Sequence, residues 1–366
     1  MKEKKYTFSS PSGKEDWIEA AKSELEGIHP FDKLVFLKDG ISLLPYYNQA
    51  DLSDKTIKSL PVSENLFLGP RTWLNLAHIP VIDSHLANKT ALSYLSSGAD
   101  GILFDLKKDF SAADLLQDIE LPFCGVAFLV DPDKVSFIDN FLEYVTSKEN
   151  YVARLSGALF WKSDPKKLKE IIEDFSDSNL FYANGITSDE PLTPTDQISS
   201  LLAKAAKRID NLTDQGLEVR KILDATAFSL PLQTDFFLEI AKLKALRQLW
   251  SQLCRAYDQS FEHPLFIHAS SPPWIEVEYQ PHGNMLKSTT AALSAILGGT
   301  DAISIIAEDS SNLLLTRIAR NVSSILREES HLSRVADPTS GSYYVERLTD
   351  QLAQQAWSKF QKLVAV

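Results

Sequence analysis

The sequence predicts an α/β protein that folds as a (β/α)8 TIM barrel with an N-terminal extension. Eight short apolar runs rich in β-branched and aromatic residues recur along the chain, and segments with helical periodicity lie between them. Each run is continuous rather than alternating, which is typical of parallel strands that are buried on both faces. Eight strand–helix units at a spacing of roughly 25–40 residues indicate one closed barrel.

The elements follow one another in a regular order. We predict strands at residues 73–78, 101–106, 124–130, 157–161, 179–185, 226–230, 264–270 and 301–306. We predict helices between them at residues 86–96, 137–146, 165–175, 195–212, 235–256, 285–297 and 309–326. No linker rich in Pro, Gly or Ser divides these units, so residues 66–366 are predicted to form one barrel domain. Residues 1–65 form the extension, with a predicted helix at 15–26 followed by an extended stretch.

Composition and charge exclude several classes of function. The chain has 366 residues, 44% of them hydrophobic, and a formal net charge of −12. This charge argues against a nucleic-acid or anionic-membrane partner, because few cations are available to displace phosphate counterions. No apolar stretch is long enough for a membrane span, and the N-terminus lacks the apolar core of a signal peptide. Two cysteines, Cys124 and Cys254, suggest a reduced cytoplasmic protein with core thiols.

Catalytic groups in a barrel of this kind stand at the C-terminal ends of the strands and in the loops that follow. Those positions hold polar residues at His78, Asp105, Asp131, Asn184 and His268, and His282 lies in a later loop. Isolated histidines at a barrel mouth are more often hydrogen-bonded side chains than metal ligands, which occur in clusters. The pattern alone therefore favours a structural interpretation, and it offers no nucleophile elbow.

Two other motifs have structural explanations. The stretch Gly298-Gly299-Thr300 could let the backbone approach a phosphate, but a Gly pair between a helix and a strand usually forms a C-cap and turn. Asp131 and Asp133 are expected to cap the next helix.

Near the end of the chain, a turn at Asp337–Ser342 precedes a helix that is predicted to begin at Glu346 or Thr349. Its buried stripe would comprise Tyr344, Val345, Leu348, Leu352, Ala356 and Phe360.

Five segments carry a resemblance to a known family. "DPTSGSYYVERLTDQLAQQAWSKFQ" (337–361), "STTAALSAILGGTDAISI" (288–305), "TDFFLEIAKLKALRQLW" (234–250), "TRIARNVSSIL" (316–326) and "DGISLLPYYNQADL" (39–52) resemble, in the right order, the substrate barrel of methylmalonyl-CoA mutases. The resemblance implies an adenosylcobalamin-dependent rearrangement between methylmalonyl-CoA and succinyl-CoA. In that family the barrel holds the acyl-CoA along its axis, and a flavodoxin-like domain supplies the cobalamin.

The sequence departs from the family at the positions that would donate hydrogen bonds to the substrate. Ile186 and Thr187 stand where the catalytic chains have Tyr and His, and Ser304 stands where they have a further His. Arg71 and Trp73 remain from an Arg-Pro-Trp, but the nearby Tyr has no equivalent. A site without these donors cannot stabilise developing charge. The Asp-x-His-x-x-Gly motif of the cobalamin domain does not occur in the sequence.

The resemblance and its losses together indicate the small, noncatalytic subunit of a heterodimeric mutase. This chain is expected to bind no cofactor, and a large catalytic subunit is expected to carry substrate and adenosylcobalamin. The arm at residues 1–60 is expected to wrap that partner. Two alternatives stay open: an acyl-CoA mutase barrel that works with a separate cobalamin-binding chain, and a repurposed barrel that binds another small ligand near His78, Asp105 and His268. The residues expected to line or border a vestigial cavity are Arg71, Trp73, Asn184, Thr187, His268, His282 and Ser304.

Overall fold

The N-terminal part of the chain forms a small layer of its own. The computed structural model describes residues 13–52, 60–62, 69–132, 135–148, 151–178, 180–188, 192–261, 265–274 and 283–365. Helix α1 spans Lys14–Glu24 and the short α2 spans Pro30–Lys33. Strands β1 (Phe36–Lys38) and β2 (Ile41–Leu43) then pair antiparallel as a hairpin. This region therefore holds the predicted helix and the predicted extended stretch.

Eight parallel strands close into the predicted barrel, with the last strand hydrogen-bonded to the first. They are β3 (Leu74–Val81), β4 (Gly101–Leu106), β5 (Gly125–Val130), β6 (Ser156–Trp161), β7 (Leu180–Thr187), β8 (Thr226–Pro231), β9 (Phe266–Ser271) and β10 (Ala302–Ile305). Every residue of β4 is buried, which explains why the runs are continuously apolar. The (β/α)8 fold class is thus confirmed.

Helices surround the barrel and cover its outer face. In chain order they are α3 (Ser84–Ser96), α4 (Ala112–Leu115), α5 (Val135–Thr146), α6 (Leu168–Asp174), α7 (Pro194–Asp214), α8 (Val219–Asp224), α9 (Phe236–Tyr257), α10 (Gly283–Gly298), α11 (Leu313–Glu328) and α12 (Tyr343–Val364). All seven predicted helices of the barrel are present. The short helices α4 and α8 were not predicted, because four and six residues are too few to show a helical period.

The closing helix α12 begins earlier than the sequence suggested. It starts at Tyr343 rather than at Glu346 or Thr349, because the left-handed Gly341 (φ +83°) ends the preceding turn and leaves Ser342 as an extended N-cap. Five residues of the expected stripe are buried, and Tyr344 is only partly buried. Tyr344 instead packs edge-to-face against Tyr47 and Phe237, at 5.4 and 5.2 Å between ring centroids.

The described part of the extension packs on the barrel of its own chain. On α12, Gln355 Nε2 donates to the Gly40 carbonyl at 2.9 Å, and Gln351 Nε2 donates to the Ser42 carbonyl at 3.4 Å. Lys38 forms an ion pair with Asp235, the N-cap of α9. These contacts fix the hairpin against α12 and the start of α9. Within the described ranges, no helix has the length and apolarity needed to cross a bilayer.

Candidate functional site

Charged side chains gather at the C-terminal mouth of the barrel. Lys162, which directly follows β6, lies 3.3 Å from Asp105 Oδ1 and 3.7 Å from Asp131 Oδ2. Lys107 Nζ lies 2.7 Å from Asp105 Oδ2, and His78 Nε2 lies 4.0 Å from the same oxygen. Two lysines thus face two aspartates, so the mouth is close to charge-neutral.

The electrostatics of this cluster lower the pKa of both Asp105 and His78. Burial lowers the pKa of His78 and outweighs the opposing effect of Asp105. Burial by itself would raise the pKa of Asp105, but Lys107 and Lys162 bring it below its ordinary value. At neutral pH the mouth therefore presents an uncharged imidazole beside a paired carboxylate.

His268 lies below this cluster inside the barrel, and both of its ring nitrogens are occupied. Nδ1 lies 2.8 Å from Ser229 Oγ, and Nε2 lies 2.9 Å from Ser304 Oγ. Ser304 donates its only hydroxyl proton to the Leu76 carbonyl at 2.8 Å, so it must accept from Nε2–H. Nδ1 is therefore the acceptor, and Ser229 donates to it. The network leaves neither nitrogen free for a substrate.

Complete burial keeps this imidazole uncharged. Removal from water lowers the pKa of His268 to about 3, and the neighbouring His78 adds to the shift. One face of the ring stacks on Phe160 at 5.2 Å between centroids. His268 thus serves as a hydrogen-bonding tie between β8, β9 and β10 rather than as an acid or base.

Large side chains fill the barrel axis beneath the mouth. Tyr182 and Phe266 stack at 4.7 Å between ring centroids, and Phe160 is fully buried. The rest of the inner cluster comprises Leu74, Leu76, Leu103, Ala127, Leu129, Ala158, Ala227 and Ala302. Together these side chains form a packed core inside the strands. An acyl chain could not lie along the axis unless they moved.

The predicted site residues on β7 do not reach this interior as donors. Asn184 Nδ2 donates to Thr226 Oγ1 at 2.9 Å, and its Oδ1 accepts from Arg208 of α7 at 3.0 Å. Thr187 Oγ1 donates to the Trp161 carbonyl at 2.9 Å, and Ile186 belongs to the outer core. The pairing of β6 with β7 shifts register between Ala158 and Phe160. This irregularity changes the alternation along β7, so sequence spacing could not assign its faces.

Arg71 and Trp73 lie at the opposite end of the barrel. Trp73 immediately precedes β3 and donates from Nε1 to Ser323 Oγ of α11 at 2.9 Å. The buried Arg71 donates to the Thr300 carbonyl, just before β10. Burial lowers the pKa of Arg71 to about 10. The structure therefore places these two residues at the N-terminal end of the barrel and not at its mouth.

The glycine pair at 298–299 forms part of this same N-terminal end. Gly299 (φ +93°) donates to the Ile296 carbonyl at 3.2 Å, and Thr300 donates to the Ala295 carbonyl at 3.0 Å. These are the bonds of a helix C-cap. Arg247 stabilises the turn by donating hydrogen bonds to the Gly299 carbonyl and to the Asp301 carboxylate. The segment is a structural turn and not a phosphate site.

The remaining candidates are His282, Asp133 and the two cysteines. His282 and Asp133 lie outside the described residues, which contain no cluster of three or more metal-ligating side chains. Cys254 is buried as expected, but Cys124 lies just before β5 and is only partly buried. Burial raises the pKa of Cys124 to about 11 and that of Cys254 to about 12. Both thiols are therefore protonated, and neither is an activated nucleophile.

Sequence reasoning missed three participants, Lys107, Lys162 and Ser229. Lys107 and Lys162 directly follow the second and fourth predicted strands, so the rule that strand ends carry function would have found both. Ser229 lies within a strand, and only the pairing of Ser229 with His268 across β8 and β9 reveals its role.

The chain is similar to proteins of one family along its whole length. A family model described as methylmalonyl-CoA mutase matches residues 189–366. The methylmalonyl-CoA mutase small subunit of Porphyromonas gingivalis is 29% identical over 98% of this chain and 64% of its own length. That of Streptomyces virginiae is 39% identical over 46% of this chain and 28% of its own length. The methylmalonyl-CoA mutase of Escherichia coli is 27% identical over 96% of this chain and 58% of its own length. The chain thus spans less than two thirds of each of these relatives.

Proposed function

Because the chain belongs to the methylmalonyl-CoA mutase family, we propose that it is the small, noncatalytic subunit of a heterodimeric mutase. In this proposal a large subunit binds acyl-CoA and adenosylcobalamin and converts methylmalonyl-CoA to succinyl-CoA, while this chain supports it as a partner. Proteins named small subunits are among its relatives. The location would be the cytoplasm, where two free cysteines remain reduced.

The observation that carries the proposal is that three polar side chains expected at the site are already hydrogen-bonded within the barrel. The polar atoms of His268, Ser304 and Thr187 form hydrogen bonds with other residues of the barrel. A carbonyl undergoing rearrangement would need donors that are free and aimed at it. Since none of these three side chains is free to replace the lost Tyr and His, this barrel is a scaffold in our proposal.

The described residues also do not fit a resident cobalamin. Phe160, Tyr182 and Phe266 fill the space that a reaction at the cofactor would require along the axis. His268 cannot act as a ligand, because both of its nitrogens are engaged. We therefore assign adenosylcobalamin to the partner subunit.

An exposed apolar run supports a protein partner. Residues 34–37 of the N-terminal hairpin region are Leu, Val, Phe and Leu, and Phe36 and Leu37 are 59% and 70% exposed. Contiguous apolar side chains of this kind mark protein contacts more often than solvated surface. We propose that this run, on an extension already fixed to α12, contacts the large subunit.

The test is co-expression with the large mutase subunit encoded in the same genome. We expect a stable 1:1 complex by size-exclusion chromatography, turnover by the complex with adenosylcobalamin, and no turnover by this chain alone. Absence of a complex would contradict the proposal, as would turnover by this chain with only a cobalamin-domain protein. The second outcome would establish the working-barrel alternative.

The mouth cluster favours a second candidate function, a barrel that binds a small ligand of its own. A neutral His78 lies beside Asp105 and Lys162 near solvent, and these groups could hold a polar ligand. The substitution His78→Ala in the complex distinguishes the two. Under the subunit proposal, turnover and assembly should remain within about twofold of wild type. For comparison, a tenfold change in rate corresponds to about 1.4 kcal/mol in the activation free energy.

A further inference from the structure

A cavity of about 160 Å³ lies outside the barrel, between the first strand and two of the surrounding helices. Its walls are mainly apolar and come from β3, α3, α11 and the end of β10. They include Ala77, Ile79, Ala87, Ile305 and Ala319. An engineered cavity of about 150 Å³ in another protein is large enough to hold benzene. This cavity therefore has room for a small hydrocarbon group.

One cation faces this apolar space, and it is Arg320 of α11. Its guanidinium carbon lies 4.7 Å from the ring centroid of Tyr94, which also lines the cavity. Its Nε is buried and has no hydrogen-bond partner. Among the described residues its other guanidinium nitrogens donate no hydrogen bond, and no carboxylate forms an ion pair with it.

A buried Nε without a partner is unusual, since a buried donor without a partner costs free energy. Asp83 also lines the cavity, but its Oδ1 accepts the Leu86 N–H at 2.8 Å and caps α3. Asp83 is thus committed to the helix N-terminus. The donors of Arg320 remain available for an anion.

The entrance has the character of a binding site for an amphiphile. Ile82 and Leu86 line the cavity and are 78% and 65% exposed. Apolar side chains around the opening of an apolar cavity favour a ligand that carries hydrocarbon. A bare phosphate or sulfate would gain nothing from the apolar part of these walls.

We propose that this cavity binds a small carboxylate, with its hydrocarbon body between β3, α3 and α11 and its carboxylate on the guanidinium of Arg320. A carboxylate matches the planar fork of the guanidinium, which can donate two parallel hydrogen bonds. The stacking on Tyr94 holds the guanidinium plane in place, which restricts the orientation of the anion. This proposal does not depend on the role of the chain in the mutase.

The probe we would use is benzoate, titrated calorimetrically into the full chain and into its complex with the large subunit. We expect saturable binding of benzoate and at least about tenfold weaker binding of benzamide, which has the same shape without the charge. Inorganic phosphate, which has the charge without the ring, should also bind at least about tenfold more weakly. Equal binding of benzoate and benzamide, or of benzoate and phosphate, would overturn the assignment.

Two matched variants locate the site on α11. Arg320→Gln should weaken benzoate binding by about tenfold or more, whereas Arg317→Gln, at an exposed arginine one turn earlier, should leave it within about twofold. Ala319→Leu, which fills the cavity, should abolish binding while the thermal stability shows whether the chain remains folded. Unchanged binding in Arg320→Gln, or no binding by the wild-type chain, would refute the proposal.

Discussion

At the scale of single residues, the same polar side chains that the sequence marked as candidates are the ones that hold the barrel together. His268 connects Ser229 on β8 with Ser304 on β10, and Ser304 continues the chain of hydrogen bonds to the Leu76 carbonyl. A buried imidazole is tolerated only because every polar atom has a partner. Strand ends therefore identify where polar residues gather, but the hydrogen bonds decide whether those residues are free to act.

The neutral state of His268 gives a pH-dependent stability. The pKa is about 3 in the folded chain and about 6.5 in an unfolded one, so between these values only the unfolded state binds the proton. Stability is therefore complete above pH 6.5 and falls as the pH drops towards 3. For this group alone we expect a loss of about 1.4 kcal/mol between pH 7.5 and pH 5.5.

Urea unfolding of the wild type and His268→Gln at those two pH values measures this contribution. Glutamine can donate and accept but does not titrate, so the variant should lose about 1.4 kcal/mol less than the wild type on acidification. Because His78 also titrates with a lowered pKa, some pH dependence will remain in both proteins. Equal slopes in the two proteins would show that His268 is protonated in the folded state.

At the scale of elements, closure of the barrel depends on close approach between neighbouring strands. Gly157 at the start of β6 has φ +138°, and a Cβ there would lie 1.7 Å from the Val126 carbonyl oxygen of β5. Neither the backbone angle nor the space allows a side chain. The paired strands would have to separate to admit one.

We expect Gly157→Ala to lower the free energy of unfolding by about 3 kcal/mol or more, as a backbone clash adds to conformational strain. The control is Gly216→Ala, after α7, where φ is +83° but no atom lies within 4 Å of the added Cβ. Strain alone should cost about 1–2 kcal/mol there. Similar losses in the two variants, measured by urea unfolding, would show that the strands adjust without cost.

The closing helix is anchored by a buried ion cluster. Lys244 of α9 lies 3.2 Å from Asp337 and 3.3 Å from Glu346, and all three side chains are almost completely buried. Burial would raise the pKa of Asp337, but Lys244 and hydrogen bonds from the Leu60 N–H and the Thr339 hydroxyl bring it below its ordinary value. The Asp-Pro-Thr-Ser-Gly motif thus serves to dock α12 on α9.

Lys244→Met should cost about 3–5 kcal/mol, because it leaves two buried carboxylates without their cation. Lys359→Met removes the exposed ion pair of α12 with Asp196 and should cost no more than about 1 kcal/mol. Thermal or urea unfolding of both variants is sufficient to compare them. A small loss in Lys244→Met would mean that the carboxylates become protonated or hydrated at little cost.

The sequence predicts the strands of this architecture better than the helix boundaries and the placement of the site residues. The continuous apolar runs of β4 and β5 indicated the strands, because burial on both faces removes any polar alternation. The start of α12 and the placement of Asn184 could not be read in this way. The first depends on a left-handed Gly341, and the second on a register shift between β6 and β7 that no local pattern reveals.

At the scale of the whole molecule, side chains fill the interior of the barrel, while part of its N-terminal layer exposes apolar side chains to solvent. Phe160, Tyr182 and Phe266 fill the axis as part of a packed core. Phe36 and Leu37 remain exposed on a hairpin that α12 holds in place. This distribution suits a subunit whose function lies in contacts with another protein.

The contact surface can be tested with Phe36→Asp combined with Leu37→Asp. Apolar anchors at an interface each contribute about 2 kcal/mol or more, so the double variant should weaken binding of the large subunit by at least about tenfold. Its own melting temperature should hardly change, since both side chains are already largely exposed. Ile325→Asp, on α11 and 46% exposed, is the matched control and should bind normally. Surface plasmon resonance against the immobilised large subunit gives the affinities, and wild-type affinity in the double variant would place the contact elsewhere on the barrel.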